Sequence, residues 1–463
     1  MQKTSKEKNF TEGPILVPLI SFTLPVLAAL LLQSMYGAVD LLIVGQFASS
    51  ADVSAVSTGS QIMMTITNLV ASFSMGTTIY LGQQIGQGRV KQAGDTIGAS
   101  IWLFVLAGIA ITLFMVVGAS GLSSLMNAPE EAFTRTVSYV RICGAGSLII
   151  ITYNLIGSIF RGIGDSRTPL ITVAIACVCN IVGDLLLVGG LHMGTAGAAI
   201  ATVAAQAVSV VISFLLIRRQ TLPFTFSREQ IRPDPQILRK VTSLGLPIAI
   251  QDLLVGISFL VIAAIVNSLG LIASAGVGVA ERVCGFIMLV PSAFMQSLSA
   301  VVAQNVGAGK YDRALKTLKI GVSLSLTAGV IMFALSFFRG DLLAGIFSTD
   351  PQVIAAGADY LKAYAIDCLL TAFFFCFLGF YNGIGMTKFV MLQGIISAFM
   401  IRVPVSYFMS RQRPVSLFHI GLATPASSLF QVVLCLIVLH HVRKQYLFRQ
   451  PEASTAEGVT KRI

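Results

Sequence analysis

Asp40 lies in YGAVDLLIVGQ, Tyr36–Gln46, and Asp184 lies in NIVGDLLLVGG, Asn180–Gly190. Both are carboxylates set among leucines and valines, where water cannot solvate them. Tyr36 precedes Asp40 by four residues and Asn180 precedes Asp184 by four, so on helices each pair shares a face. A charge at the centre of a membrane helix costs roughly 2.5–3.5 kcal/mol, and such residues mark ion or proton paths. Two close carboxylates can share a proton. With amide and hydroxyl oxygens beside them, they form instead an oxygen set for a hard cation such as Na⁺.

The elements that must position these groups are apolar helices. Hydrophobic residues make up 55% of the 463-residue chain and charged residues 11%, with a mean hydropathy of +0.84. A soluble domain is about a quarter charged. A bilayer-spanning helix needs roughly 20 apolar residues, and that length fits twelve times, near 15–46, 54–82, 93–118, 131–159, 168–189, 194–217, 241–268, 273–303, 314–337, 354–380, 388–409 and 418–441. The first and fifth runs lead outward and place Asp40 and Asp184 roughly 8–9 Å below their outer ends at 1.5 Å per residue. Tyr139 and Thr202 fall at a similar depth on the fourth and sixth. For either of those two alone, satisfaction against backbone is the simpler reading.

The net charge of +11 invites a nucleic-acid reading, but its distribution explains it otherwise. With the N-terminus inside, inner segments hold 23 of the 31 Lys and Arg and the outer half holds 8. Clusters at Lys3, Lys6 and Lys8, at Arg218, Arg219, Arg228, Arg232, Arg239 and Lys240, at Lys310, Arg313, Lys316 and Lys319, and at Arg443, Lys444 and Arg449 all fall inside. This is the positive-inside bias, and it needs no nucleic acid. The polar start followed by a long apolar run does not read as a signal peptide, so the first helix is expected to be kept. All seven cysteines lie in apolar runs, and their odd number argues against a disulfide framework.

The chain divides into similar halves. QQIGQGRVKQA (Gln83–Ala93) aligns with QNVGAGKYDRA (Gln304–Ala314), and FRGIGDSRTPL (Phe160–Leu170) with YNGIGMTKFVM (Tyr381–Met391). Tyr139 matches Tyr360, an offset of 221, and Pro25 matches Pro247 with one residue of slip. Six helices per half make the repeats parallel, an arrangement that suits alternating access; a duplicated channel would usually bring a filter loop, and none is recognisable. The expected organisation is a segment 1–14, a bundle 15–217, a linker 218–240, a bundle 241–444 and a tail 445–463. The second half tests the aspartates: the positions equivalent to Asp40, Asn180 and Asp184 are Ile262, Ile401 and Val405. A purely structural need would have acted on both halves.

G-x-V-D late in the first helix, Q-x-[IV]-G-x-G-[RK] after the second and eighth, and G-I-G after the fourth and tenth together resemble the multidrug and toxic compound extrusion (MATE) family, over about 14–444. The resemblance implies an all-α polytopic membrane protein, with twelve transmembrane helices in two six-helix bundles around a central cleft. It implies a secondary antiporter that exports organic, often cationic, drugs or metabolites against an inward flow of H⁺ or Na⁺. The branch with archaeal members matches at Tyr36, Asp40, Tyr139, Asn180, Asp184 and Thr202, associated there with cation coupling, and at Pro25, associated with a bend in the first helix. Na⁺ would sit at Asp40, Asn180, Asp184 and Thr202; the carboxylate pair inclines the site slightly toward H⁺. A second branch carries coupling carboxylates where this chain has Val255 and Thr371, so a second coupling site is not expected.

For substrate, the candidates around the central cleft are Asn154, Arg282, Asp367 and Met288, with Met295 and Phe373–Phe375 as an adaptable wall or as ordinary core. Neutralisation of Asp367 and Arg282 by one another or by backbone is the alternative. Asp252 is placed near the inner end of the seventh helix, and adjacent Glu281 and Arg282 point apart. Two rival functions compete for the same residues. GIGD, Gly162–Asp165, matches the G-x-G-D of intramembrane aspartyl proteases, but Arg161 and Arg167 flank it and the copy reads GIGM. A flippase for lipid-linked oligosaccharides would want several cationic residues in its cavity, and Arg282 is the main candidate. No enzyme motif and no cofactor site is recognised beyond the coupling ion. Expected partners are small organic molecules and the bilayer, for a monomer in a bacterial or archaeal plasma membrane with both termini cytoplasmic.

Overall fold

The computed structural model describes residues 10–219 and 226–448. The basic residues Lys3, Lys6, Lys8 and Arg449, six residues of the expected linker and the end of the tail lie outside the described residues. All regular elements among the described residues are helical. α1 is Leu16–Phe47, α2 Ser50–Gly86 and α3 Val90–Leu125. α4 is the bent pair Glu130–Ala145 and Ser147–Ile163, α5 is Arg167–Asp184 continued by a π segment Leu185–Gly190, and α6 is Gly194–Arg219. α7 is Pro235–Asn267, α8 is Leu271–Ile287 and Leu289–Gly307, and α9 is Tyr311–Phe338. α10 is Pro351–Gly383, α11 runs from Thr387 through a π segment Ser397–Arg402 to Arg411, and α12 is Leu417–Gly421 with Ala423–Phe448. Eleven of these are long and apolar enough to cross a membrane, and the α4 pair, bent by 52°, supplies the twelfth.

Local chemistry sets the helix starts. Ser49 and Asp52 close a capping box at α2, pairing two otherwise orphaned backbone donors. Asp234 and Asp350 cap α7 and α10, each followed by proline, whose missing N–H is no loss in a first turn. α7 therefore begins earlier than the apolar pattern alone implies. Pro25 and Pro247 sit inside α1 and α7, and α1 runs through Pro25 as one helix.

The packing has the same plan twice. α1 packs on α5, α2 and α3 on α4, and α4 and α5 on α6; in the second lobe α7 packs on α11, α8 and α9 on α10, and α10 and α11 on α12. Between lobes, α2 meets α7 and the second half of α8, which also meets α1. These meetings lie on the side where α6 ends and α7 begins, here called the linker side. Cβ atoms built on Gly76 and Gly245 would fall 2.5 Å from Val241 O and 2.2 Å from Phe73 O, respectively. Small residues let membrane helices approach to backbone contact, and here they seal one face of the cleft.

The duplicated motifs complete that seal. A Cβ on Gly86 would lie 2.0 Å from Gln304 O, and one on Gly307 would lie 2.0 Å from Gln83 O. Gln83 Nε2 donates to Gly383 O at 3.0 Å, and Gln304 Nε2 donates to Gly162 O at 2.9 Å. Each lobe thus bonds the G-I-G turn of the other. Gly88, Gly309, Gly164 and Gly385 have φ of +68°, +72°, +99° and +87°, the left-handed conformation that glycine adopts at no steric cost. A strap adds to this. Arg313, at the start of α9, donates to the carbonyls of Phe10, Glu12 and Gly13 at 2.7–2.8 Å, and the buried Phe10 ring stacks edge-on with Phe22 of α1.

Candidate functional site: a buried carboxyl pair in the N-terminal lobe

On the far side of the N-terminal lobe, α1 and α5 present Asp40 and Asp184 to each other. Asp40 is 2% exposed and Asp184 0%, and their carboxyls meet side by side. Asp40 Oδ1 and both oxygens of Asp184 have no hydrogen-bond donor, and neither side-chain atom of buried Asn180 has a partner. Tyr36 OH donates to the Thr202 carbonyl at 3.4 Å. The Thr202 side chain lies beside the Tyr36 and Tyr139 hydroxyls, yet its Oγ1 closes no bond of good geometry. Tyr139 is itself pressed on α2, where a Cβ at Gly59 would come within 2.4 Å of its ring. The structure therefore brings together Tyr36, Asp40, Tyr139, Asp184 and Thr202, with Asn180 one helical turn before Asp184 on α5.

The lobe is clasped just beyond this cluster. Arg135 of α4 pairs with Asp52 of α2 at 2.6 Å, and Thr195 Oγ1 of α6 donates to the same carboxylate at 2.7 Å. Two touching buried carboxylates cannot both stay charged without a compensating proton or cation. The unpartnered oxygens belong to carboxyl, amide and hydroxyl groups, a donor set that hard cations prefer. The site can hold H⁺ or a small hard cation.

Three of the four substrate candidates sit among residues of a single lobe. Asn154 is 8% exposed, donates to Ile150 O at 2.8 Å, and lines a cavity of about 40 Å³ inside the N-terminal lobe with Tyr153, Arg161 and Ser213. The bend at Gly146 turns that half of α4 into its own lobe, and a straight-helix reading misses this. Asp367 is 1% exposed and faces Arg402 and Ser428 inside the C-terminal lobe, because α10 is packed by α8, α9 and α12 around most of its circumference. Met288 sits at the break of α8, facing Ser325, Cys368 and Thr371. Arg282 projects from α8 with an exposed side chain, while Glu281 turns inward. Phe374 is buried and Phe373 and Phe375 pack on the same core. None of Asn154, Asp367 and Met288 lines the gap between lobes.

Asp252 does. It is exposed on α7 and accepts a hydrogen bond from Ser72 of α2, across the lobes. With α7 starting at Pro235, Asp252 stands at mid-helix, just beyond the Gly76–Gly245 contact, at the apex of the cleft. The sequence reading placed it near the inner end because it began α7 too late. Asp165 of the GIGD motif accepts from the backbone N–H of Arg167 and Thr168 at the start of α5, so its carboxylate is a cap at a turn. The sequence reading passed over Arg402; the signal available was a cation inside an apolar run, beside the position equivalent to Asn180.

Comparison with known proteins follows the same duplication. The model of the MatE family matches residues 25–186 and 247–408, two stretches that begin at the paired prolines. The probable multidrug resistance protein YpnP of Bacillus subtilis is 28% identical over 419 residues, covering 88% of this chain and 91% of that one. The multidrug export protein MepA of Staphylococcus saprophyticus is 22% identical, covering 87% and 88%. Among solved structures, an outward-facing conformation of a multidrug resistance MATE family transporter of the MOP superfamily superposes with a TM-score of 0.88 at 19% identity, covering 96% of this chain and 100% of that one.

Proposed function

Because the chain belongs to the MatE family, and so is a multi-pass membrane transporter and not an enzyme, we propose that it exports amphipathic organic cations from the cell in exchange for H⁺ or Na⁺. The observation that carries this reading is the buried Asp40–Asp184 pair with its unpartnered oxygens, in a molecule whose two lobes are sealed on one side. Relatives named for multidrug resistance and export support the drug-efflux part. Asp252 supports the preference for cations, being the carboxylate at the apex of the cleft with only a hydroxyl partner.

The cycle follows from charge and packing. With the linker side closed, the far side of the cleft is open and the carboxyl pair is within reach of external ions. Binding H⁺ or Na⁺ cancels a desolvation cost of several kcal/mol, which lets α1 and α5 pack more closely. Pro25 leaves a backbone carbonyl in α1 without its α-helical donor, so bending there is comparatively cheap. Repacking of α1 beside the cleft releases the organic cation outward, and the loaded lobe then closes the far side while the linker side parts. The positive-inside bias assigns the linker side and both termini to the cytoplasm.

Expression in a host lacking its own pumps should lower ethidium accumulation, and in proteoliposomes an imposed pH gradient or an imposed Na⁺ gradient should drive uptake of the dye cation against its own gradient. Absence of an effect on any drug, with rescue of a strain deficient in flipping lipid-linked oligosaccharide, would replace this reading with the flippase.

A further inference from the structure

The second lobe carries a cation of its own at the place where the first lobe offers two bare carboxyls. Arg402, at the end of the π segment of α11, is 5% exposed. Its Nη1 donates to Ser258 Oγ at 3.3 Å, and its guanidinium lies 4.4 Å over the Phe259 ring. Asp367, Tyr364 and Tyr360 face it. The sequence repeat relates these neighbours to the first lobe. Ser258 is the equivalent of Tyr36, Tyr360 of Tyr139 and Ile401 of Asn180, at offsets of 221 or 222. Two of the positions that surround Asp40 and Asp184, those of Tyr36 and Tyr139, are thus occupied in the second lobe by Ser258 and Tyr360, which face the guanidinium.

We propose that Arg402 is a tethered cation standing where the coupling ion stands in the other lobe, with Asp367 as its carboxylate, so that the C-terminal lobe is permanently loaded and one lobe alone binds and releases an ion. This rests on the N-terminal pair being the coupling site. The chemistry is complementary in each lobe: two carboxyls that lack a cation on α1 and α5, one carboxylate and one fixed cation on α10 and α11. Arg402 Nε and Asp367 Oδ1 remain without partners, so the pair is matched in charge rather than locked by a bidentate bond. Glu281, half-buried with a buried and unpartnered Oε1, approaches Tyr360 and Cys284 from α8. A buried carboxylate stripped of its cation must take up another.

The test is ion-coupled transport of ethidium in proteoliposomes, read as the Hill slope for the driving ion and as the ion-to-substrate ratio from the reversal gradient. Arg402→Gln should raise both by about one ion, Arg402→Lys should keep the wild-type values, and the double variant Arg402→Gln, Asp367→Asn should return to them. Wild-type slope and ratio in Arg402→Gln would overturn the proposal, as would failure of the double variant to restore them. If Arg402→Gln does not reach the membrane, the double variant still decides, because a neutral pocket should accumulate and transport with the wild-type slope. A wild-type protein that moves ethidium with no dependence on H⁺ or Na⁺ would instead overturn the coupling reading itself.

Discussion

Asp40 and Asp184 are a unit, because each leaves the other as the nearest neighbour of its own unsatisfied oxygens. Asp40→Asn and Asp184→Asn should each reduce gradient-driven efflux to background at normal membrane abundance, measured by dye accumulation alongside surface-exposed protein. An amide keeps the volume and loses the charge that an ion must neutralise. Thr371→Ala should change efflux little, since its hydroxyl donates to carbonyls of its own helix, those of Asp367 and Cys368. Efflux by the double asparagine variant equal to wild type would remove the pair from the mechanism. These aspartates are legible in sequence because a carboxylate among leucines has few innocent explanations. Arg402 is not legible in the same way: a long cationic side chain near a helix end can snorkel to the interface, and only the coordinates show it turned inward onto Ser258 and Phe259.

At the scale of elements, α2 and α8 with the turns after α4 and α10 form a latch with two equal halves. Replacing Gln83 or Gln304 by alanine leaves a turn carbonyl, that of Gly383 or Gly162, unpaired at the interface. Such a loss costs about 1–3 kcal/mol, so each variant should raise the linker-open population roughly 5–150-fold, measured by labelling of a cysteine placed in the α2–α8 seam. Gly86→Ala should have a larger effect, because its methyl would meet the Gln304 carbonyl oxygen at 2.0 Å and backbone has nowhere to move. Labelling of Gly86→Ala indistinguishable from wild type would exclude the latch. Helix number and the repeated motifs were legible, since apolar length and spacing record them directly. The bend at Gly146 and the break at Met288 were not, because a glycine or methionine inside an apolar run fits a straight helix equally well. The early start of α7 was hidden by polar residues that its cap and Pro235 make helical.

For the whole molecule, the contacts give a pair of lobes joined on the linker side by glycines, glutamines and the N-terminal strap. Arg313 spends its guanidinium on three carbonyls of the chain's start, which makes the strap part of the closed state. In membrane-oriented vesicles, Arg232→Cys should label only from the cytoplasmic face and Ser416→Cys only from outside; the reverse pattern would invert the topology and the direction of transport. The overall plan was legible because duplication wrote it twice. The open side of the cleft was not, since sequence similarity between halves carries no record of which face is sealed.

The glycine seam also bears on how such a protein can change over generations. Its contacts run from backbone to backbone, so the seal depends on a handful of positions that must stay small and two glutamines that must stay amides. Beyond the Ser72–Asp252 hydrogen bond at the apex, the residues lining the cleft take no part in that closure. New wall residues can be tried there, one at a time, without loosening the door. A lineage can therefore revise what it expels while the machinery that prevents leakage is inherited unchanged, and a fold retained at 19% identity is the kind of record this division of labour leaves.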